Sequence, residues 1–193
     1  MNTFDPATHT YTIDGRVVPS VTQVLNDLLP CYQASEWHLQ RGTAVHACAA
    51  MIAQGKTFDY DRAIEGQVSA CYRFFEEVKP VVLAVEEREF SSRHGFAGTY
   101  DLLSRIPQGL KACMVDWKAS FSASLPYQLA GYSILVEENV GRIDRGYGVQ
   151  LNEDGTYRMS EVYDLRRYKT GFLNMLGAYN IRRECKAKDE VMV

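Results

Sequence analysis

From Ile64 to Val78 the apolar residues Ile64, Val68, Cys71, Tyr72, Phe75 and Val78 recur at steps of three and four, which places them on one face of a helix, and Pro80 ends it. The period then changes. Pro80 to Phe90 reads as a strand, Arg93-His94-Gly95 as a turn, Phe96 to Arg105 as a second strand, Pro107-Gln108-Gly109 as another turn, and Lys111 to Lys118 as a third strand. Strand alternation turns Val115 and Trp117 away from Asp116 and Lys118. Ahead of these lie a short β-like start (His9 to Ile13, a turn at Asp14-Gly15, Val17-Val18) and two helices. The first enters at Ser20 with Gln23 placed to close a capping box, and Pro30 closes it; the second runs from about Ala34 to Gln54. After the three-strand meander, Ser124-Leu125-Pro126 opens a helix to about Glu138. Ile143 to Leu151 returns as a strand parallel to the third, Asn152 to Gly155 turns, Thr156 to Tyr163 follows, and Asp164 caps a final helix carrying Leu165, Tyr168, Phe172, Leu176 and Tyr179.

Composition adds limits rather than direction. At 193 residues, with 46% hydrophobic and 23% charged residues, the chain is expected to form a single domain over 1–193 with a core that needs no disulfide or structural metal. No apolar run reaches the roughly 20 residues of a membrane span, and the first residues lack the pattern of a signal peptide, so the expected location is cytoplasmic, without a membrane partner. The five cysteines are scattered without a Cys-x-x-Cys pair and read as buried free thiols. Net charge is −3, but Asp164 to Lys188 carries seven basic and two acidic residues, leaving −8 for the rest. That basic helix reads either as a solvated face or as a phosphate contact, with Arg166, Arg167 and Lys169 as candidates beside Arg41 on an earlier helix.

The chemistry concentrates between residues 98 and 132. Asp101 lies in the second strand of the meander, Asp116 and Lys118 share a face at the end of the third, and Gln128 and Tyr132 sit one turn apart on the next helix. Two carboxylates beside a lysine suit metal-assisted phosphodiester hydrolysis: acids hold a divalent ion, and a cation steadies the attacking water or the charge that develops. Apolar Met114, Val115 and Trp117 around Asp116 and Lys118 imply partly buried charges, which persist when paired or metal-bound. His46 lies one turn beyond Gly42, where a missing side chain leaves room. Each residue also has a plain structural reading: Asp101 as a turn residue, Asp116 and Lys118 as a surface ion pair, His46 as a satisfied helix histidine, Tyr132 as a core aromatic.

An aspartate on one hairpin strand followed by Asp-x-Lys on the next, within helices and strands ordered αβββαβ, resembles the PD-(D/E)XK nuclease superfamily. Arg41-Gly-Thr-Ala-Val-His46, Glu86, Gly98-Thr-Tyr-Asp101, Asp116-Trp-Lys118 and Gln128-x-x-x-Tyr132 together look like its RecB-type and phage exonuclease branch. His9-x-Tyr11 and Ser20-Val-Thr22 look like small phage members. The resemblance implies an α/β, restriction-endonuclease-like core over about 41–163, with a central mixed sheet flanked by helices and the basic helix of about 164–188 appended. It also implies that His46, Glu86, Asp101, Asp116 and the Trp117 carbonyl hold Mg²⁺ or Mn²⁺, with neighbouring Glu87 and Glu89 competing for the role of Glu86. Lys118 would orient or help activate water, and Gln128 and Tyr132 would position the strand. DNA is the implied substrate. A single-strand annealing or other recombination protein is the implied partner, in host cytoplasm if the chain is phage-encoded, with an oligomer left open. The absence of a late cysteine cluster argues against an iron–sulfur subfamily, and the absence of a Walker loop puts any ATPase on another chain. A structure-specific endonuclease of the same fold and a non-catalytic nucleic-acid-binding domain are the alternatives.

Overall fold

The structure is a computed structural model that describes residues 1–30, 35–106 and 111–191, with side chains as far as Lys188. The expected turn at Pro107-Gln108-Gly109, the helix start at Ala34 and the thiol of Cys31 lie outside the described residues. The chain runs β1 (Asn2–Asp5), β2 (Thr10–Ile13), β3 (Arg16–Val18), α1 (Val21–Leu28), α2 (Glu36–Ala53), a 3-10 turn (Arg62–Ile64), α3 (Glu65–Val78), β4 (Val81–Ser91), β5 (Phe96–Arg105), β6 (Ala112–Lys118), α4 (Leu125–Val140), β7 (Arg145–Leu151), β8 (Tyr157–Met159), β9 (Tyr163–Asp164) and α5 (Arg166–Val191).

The central sheet has the order β4-β5-β6-β7-β8, with β9 also on β7. Strands β4, β5 and β6 form the antiparallel meander, and α4 carries the chain across to β7, which lies parallel to β6 in the register Met114↔Gly146 to Lys118↔Gln150. The sheet is mixed and buried on both faces. Along β6, Met114 joins the cluster built by α1, α4 and α5, whereas Cys113, Val115 and Trp117 join the one built by α2 and α3. The alternation expected of Asp116-x-Lys118 is therefore present, with helices covering both sides.

The capping box of α1 forms as its sequence predicts: Ser20 Oγ accepts from the Gln23 N–H at 3.1 Å and the Ser20 N–H donates to Gln23 Oε1 at 2.8 Å. Asp14 and Gly15 both take positive φ, which the tight β2–β3 hairpin requires. Asp164 accepts from the Arg166 N–H at the head of α5.

Three expectations change. Strand β1 pairs with β2, although Asn2–Asp5 is short and mostly exposed and so leaves no alternation to read. The expected strand from Thr156 to Tyr163 is split in two because Ser160 stands in for the ladder: its Oγ accepts from the Gly148 N–H at 2.9 Å and its own N–H donates to the Gly148 carbonyl. Cys48, Cys71 and Cys113 are buried free thiols as expected, but Cys185 is exposed on α5, where the described residues from Ile181 to Lys188 all face solvent.

Candidate active site

A cleft of about 850 Å³ opens between the amino-terminal hairpin, α1, α2, β4, β5 and α4, and Asp101, Asp116, His46, Glu86, Gln128 and Tyr132 all line it. The strand register places them. On β4 the pairs Val85↔Leu102 and Glu87↔Tyr100 leave Glu86 opposite Asp101. Glu86 takes φ +51, a conformation that a non-glycine residue rarely adopts, and it interrupts the regular run of β4 there. Its carboxylate, that of Asp101 and an imidazole nitrogen of His46 lie within 4.8 Å of one another. Glu87 and Glu89 do not join this group: Glu87 accepts from the Tyr100 hydroxyl and Glu89 from the Asn139 amide.

Asp101 is the hub. The ladder between β5 and β6 reaches Leu102↔Val115 and goes no further towards the cleft. Beyond it, Asp101 Oδ2 accepts from the Trp117 N–H at 2.8 Å while Oδ1 meets His46 Nδ1 at 3.2 Å. A side-chain carboxylate thus replaces a ladder bond and is fixed from two elements. Trp117 meets the cluster through that N–H; its indole is buried against Phe74 and Phe75 of α3. Asp116 is 2% exposed and its Oδ2 lies 2.5 Å from Lys118 Nζ. On α4, the Gln128 amide donates to the Tyr132 hydroxyl at 3.3 Å. Gly98 makes room for that ring, since a Cβ there would sit 3.0 Å from Tyr132 Cε1. A Cβ on Gly42 would meet nothing within 4 Å, so this turn of α2 borders open space beside His46.

Burial pushes the carboxyls up and their neighbours redistribute the effect. Glu86 is raised to about 7, first by burial and then by the charge of Asp101. Asp116 is raised to about 6 by burial and by Asp101, against the pull of Lys118. Asp101 goes the other way: burial is outweighed by His46, Lys118 and the Trp117 N–H, which hold it below the usual carboxylate value. Burial alone would lower His46, but the charge and hydrogen bond of Asp101 carry it up to about 9. Lys118 is likewise held above its ordinary value by Asp116 and Asp101 despite burial, so at neutral pH it is an ammonium group and a donor. The donor set fits a hard divalent ion, with carboxylates and an imidazole converging where burial and the neighbouring Asp101 charge make Glu86 and Asp116 resist ionising.

The basic candidates fall elsewhere. Arg41 lies on α2 beside a smaller cavity of about 300 Å³ that Lys118 and His46 also line; it stacks over Trp37 at 4.5 Å and pairs with Glu153 on the β7–β8 turn. Lys169 pairs with Glu137 at 2.6 Å and donates to the Ile143 carbonyl, and Arg166 pairs with Asp164. Since β6 and β7 are parallel, these contacts sit at the opposite end of the sheet from Lys118. Arg167 is exposed on the same first turn of α5. The cleft walls instead include Phe4, Tyr11, Thr22, Thr99 and Arg88, of which Tyr11, Thr22 and Thr99 lie in the motifs quoted above and Phe4 and Arg88 do not. Arg88 was signalled by its place two residues beyond Glu86 on one strand.

By sequence the chain matches no family model and no curated protein. Solved structures are similar over most of its length. They include the alkaline exonuclease LHK-Exo of Laribacter hongkongensis, at 15% identity over 88% of this chain and 93% of that one with TM-score 0.41. The same enzyme in complex with dAMP gives 14% over 89% and 94%, with TM-score 0.42. A protein of Eubacterium rectale gives 16% over 86% and 72%, with TM-score 0.45. At these scores the likenesses carry no functional weight, and the chemistry is read from the cleft itself.

Proposed function

We propose that this chain is a divalent-metal-dependent deoxyribonuclease, an exonuclease of phage type acting in recombination or DNA processing. One observation carries the reading. In a single cleft, His46, Glu86 and Asp101 converge within 4.8 Å, and Asp116, paired with Lys118, lines the same space.

His46, Glu86, Asp101 and Asp116 would hold the ion, with the Trp117 carbonyl as a further donor. A divalent ion there supplies a water of lowered pKa and a Lewis acid for the phosphate oxygens. The chain's own residues do the rest. Lys118, charged and oriented by Asp116, donates towards the attacking water or the oxygen that gains negative charge, a role that suits an ammonium and not a free amine. Asp101, tied to Trp117 and His46, cannot rotate away and keeps the donor set together. Gln128 and Tyr132 form a polar ledge for the substrate strand.

Asp116→Ala tests this directly: metal-dependent cleavage of DNA should be lost in that variant, and undiminished cleavage by a preparation free of contaminating nuclease would refute it. A non-catalytic nucleic-acid-binding domain is the rival from another class. It is disfavoured because carboxylates without a metal in a binding cleft would repel a polyanion.

A further inference from the structure

The cleft holds one arginine and no lysine among the described residues that line it, and that arginine is Arg88. It makes no ion pair among the described residues. Its guanidinium instead lies over the ring of Phe4 at 4.6 Å. That ring is itself held: Phe4 pairs with Tyr11 across the β1–β2 ladder, packs tilted against its ring with centroids 4.6 Å apart and meets His9 edge-on at 5.3 Å. Tyr11 in turn shares a 2.9 Å hydrogen bond with Thr99, the residue opposite Arg88 on β5. The amino-terminal hairpin therefore braces a cation against the wall of a cleft whose floor is three carboxylates.

Resting on the nuclease reading, and deepening it, we infer that Arg88, laid on Phe4, binds the phosphate next to the scissile one on the substrate strand. Glu86 and Arg88 stand two residues apart on a strand, about 7 Å, which is a step of the order of one phosphate to the next. An ion held by Glu86, Asp101 and Asp116 would neutralise the phosphate lying there, and the neighbouring phosphate needs a cation of its own. A planar guanidinium with its face on an aromatic ring keeps its N–H edge free for phosphate oxygens. The Tyr11 and Thr99 hydroxyls share one hydrogen bond, which leaves the pair a single O–H as a neutral donor on the same cleft wall.

The test is equilibrium binding of an end-labelled 20-nucleotide single strand and of its duplex, with Ca²⁺ in place of Mg²⁺ so that the carboxylates are neutralised and strand integrity checked on a gel, across a range of salt concentrations. Natural protein is compared with Arg88→Gln, Arg88→Lys and Phe4→Leu. Arg88→Gln should bind about 3- to 10-fold more weakly, and the slope of log affinity against log salt should flatten by about 0.7 for the single strand and 0.9 for the duplex. Arg88→Lys should keep the slope, and Phe4→Leu should keep it while losing about 2- to 5-fold in affinity. An Arg88→Gln protein with unchanged slope and affinity would overturn the assignment. So would an equal flattening in Arg88→Lys, which shows that charge is not the cause, and so would natural protein that binds neither probe. Digestion in Mg²⁺ is run in parallel. Cleavage with an unchanged Arg88→Gln slope sinks the phosphate site alone, whereas a flattened slope without any cleavage sinks the nuclease reading and leaves Arg88 as a phosphate contact.

Discussion

Asp101 and His46 illustrate how one buried carboxylate sets the charge of its neighbours. In the metal-free protein His46 is carried to about 9, so it should remain an imidazolium at pH 7.5. An imidazole titration by NMR should show a resonance with a midpoint well above 6.5, and Asp101→Asn should return it towards or below that value. A histidine titrating near 6.5 in the natural protein would contradict the contact. The linkage has a definite sign. A raised folded-state value means that this pair stabilises the protein fully below about pH 6.5 and that the contribution is lost as pH rises through about 9. Lys118→Ala should lower the cleavage rate by about 100-fold or more without unfolding the protein, because Asp116 without its partner takes up a proton more readily and so avoids a bare buried charge. Most of these residues were legible before any coordinates. Asp-x-Lys on a strand has only one way to put both charges on a face, and Gln128-x-x-x-Tyr132 only one face of a helix. The contact between Arg88 and Phe4 was not, since nothing local links an N-terminal aromatic to an arginine 84 positions later.

The elements owe their boundaries to local chemistry where punctuation is strong and to tertiary contacts where it is weak. Ser20 and Gln23, the prolines around α1 and α3, and the Asp14-Gly15 turn were all readable, and all hold. The split between β8 and β9 was not, because it depends on a hydroxyl reaching Gly148 across a strand pair. The same limit applies to Gly66, which looks like an unfavourable helix residue in the first turn of α3. In the fold it lies against the β7–β8 turn, where a Cβ would come 1.9 Å from the Glu153 carbonyl oxygen. Gly66→Ala should therefore destabilise the protein by about 1 to 3 kcal/mol in urea unfolding, although helix propensity alone predicts a gain of about 1 kcal/mol. A stabilised variant would show that the hairpin does not press on α3.

At the scale of the whole molecule, the layers are those expected of an α/β core, and the amino-terminal sheet is the addition that turns an open sheet edge into a walled cleft. The cleft concentrates negative charge. Glu86 and Asp116 are raised in the folded state, to about 7 and about 6, so each holds a proton that the unfolded chain has released. Their contribution to stability is present below about pH 4 and is lost as pH rises through those values. A bound divalent ion would offset the cost of ionising these buried carboxylates, so Mg²⁺ or Mn²⁺ should raise the melting temperature more at pH 8 than at pH 5. Equal shifts at the two pH values, or none, would count against the carboxylates as the ion's ligands. In the basic stripe of α5, Arg166, Lys169 and Arg182 pair with Asp164, Glu137 and Asp27.

We propose that the Asp116 and Lys118 pair sits at a centre that hydrolyses DNA from its ends. It is tested most directly by incubating end-labelled linear DNA and closed circular DNA with Mg²⁺, Mn²⁺ or EDTA, and with natural or Lys118→Ala protein. Loss of the linear DNA alone, dependent on metal and abolished by the substitution, is the result expected. Cleavage of circles would make the protein an endonuclease, and cleavage that survives Lys118→Ala, or no cleavage of either substrate, would contradict the assignment of the site.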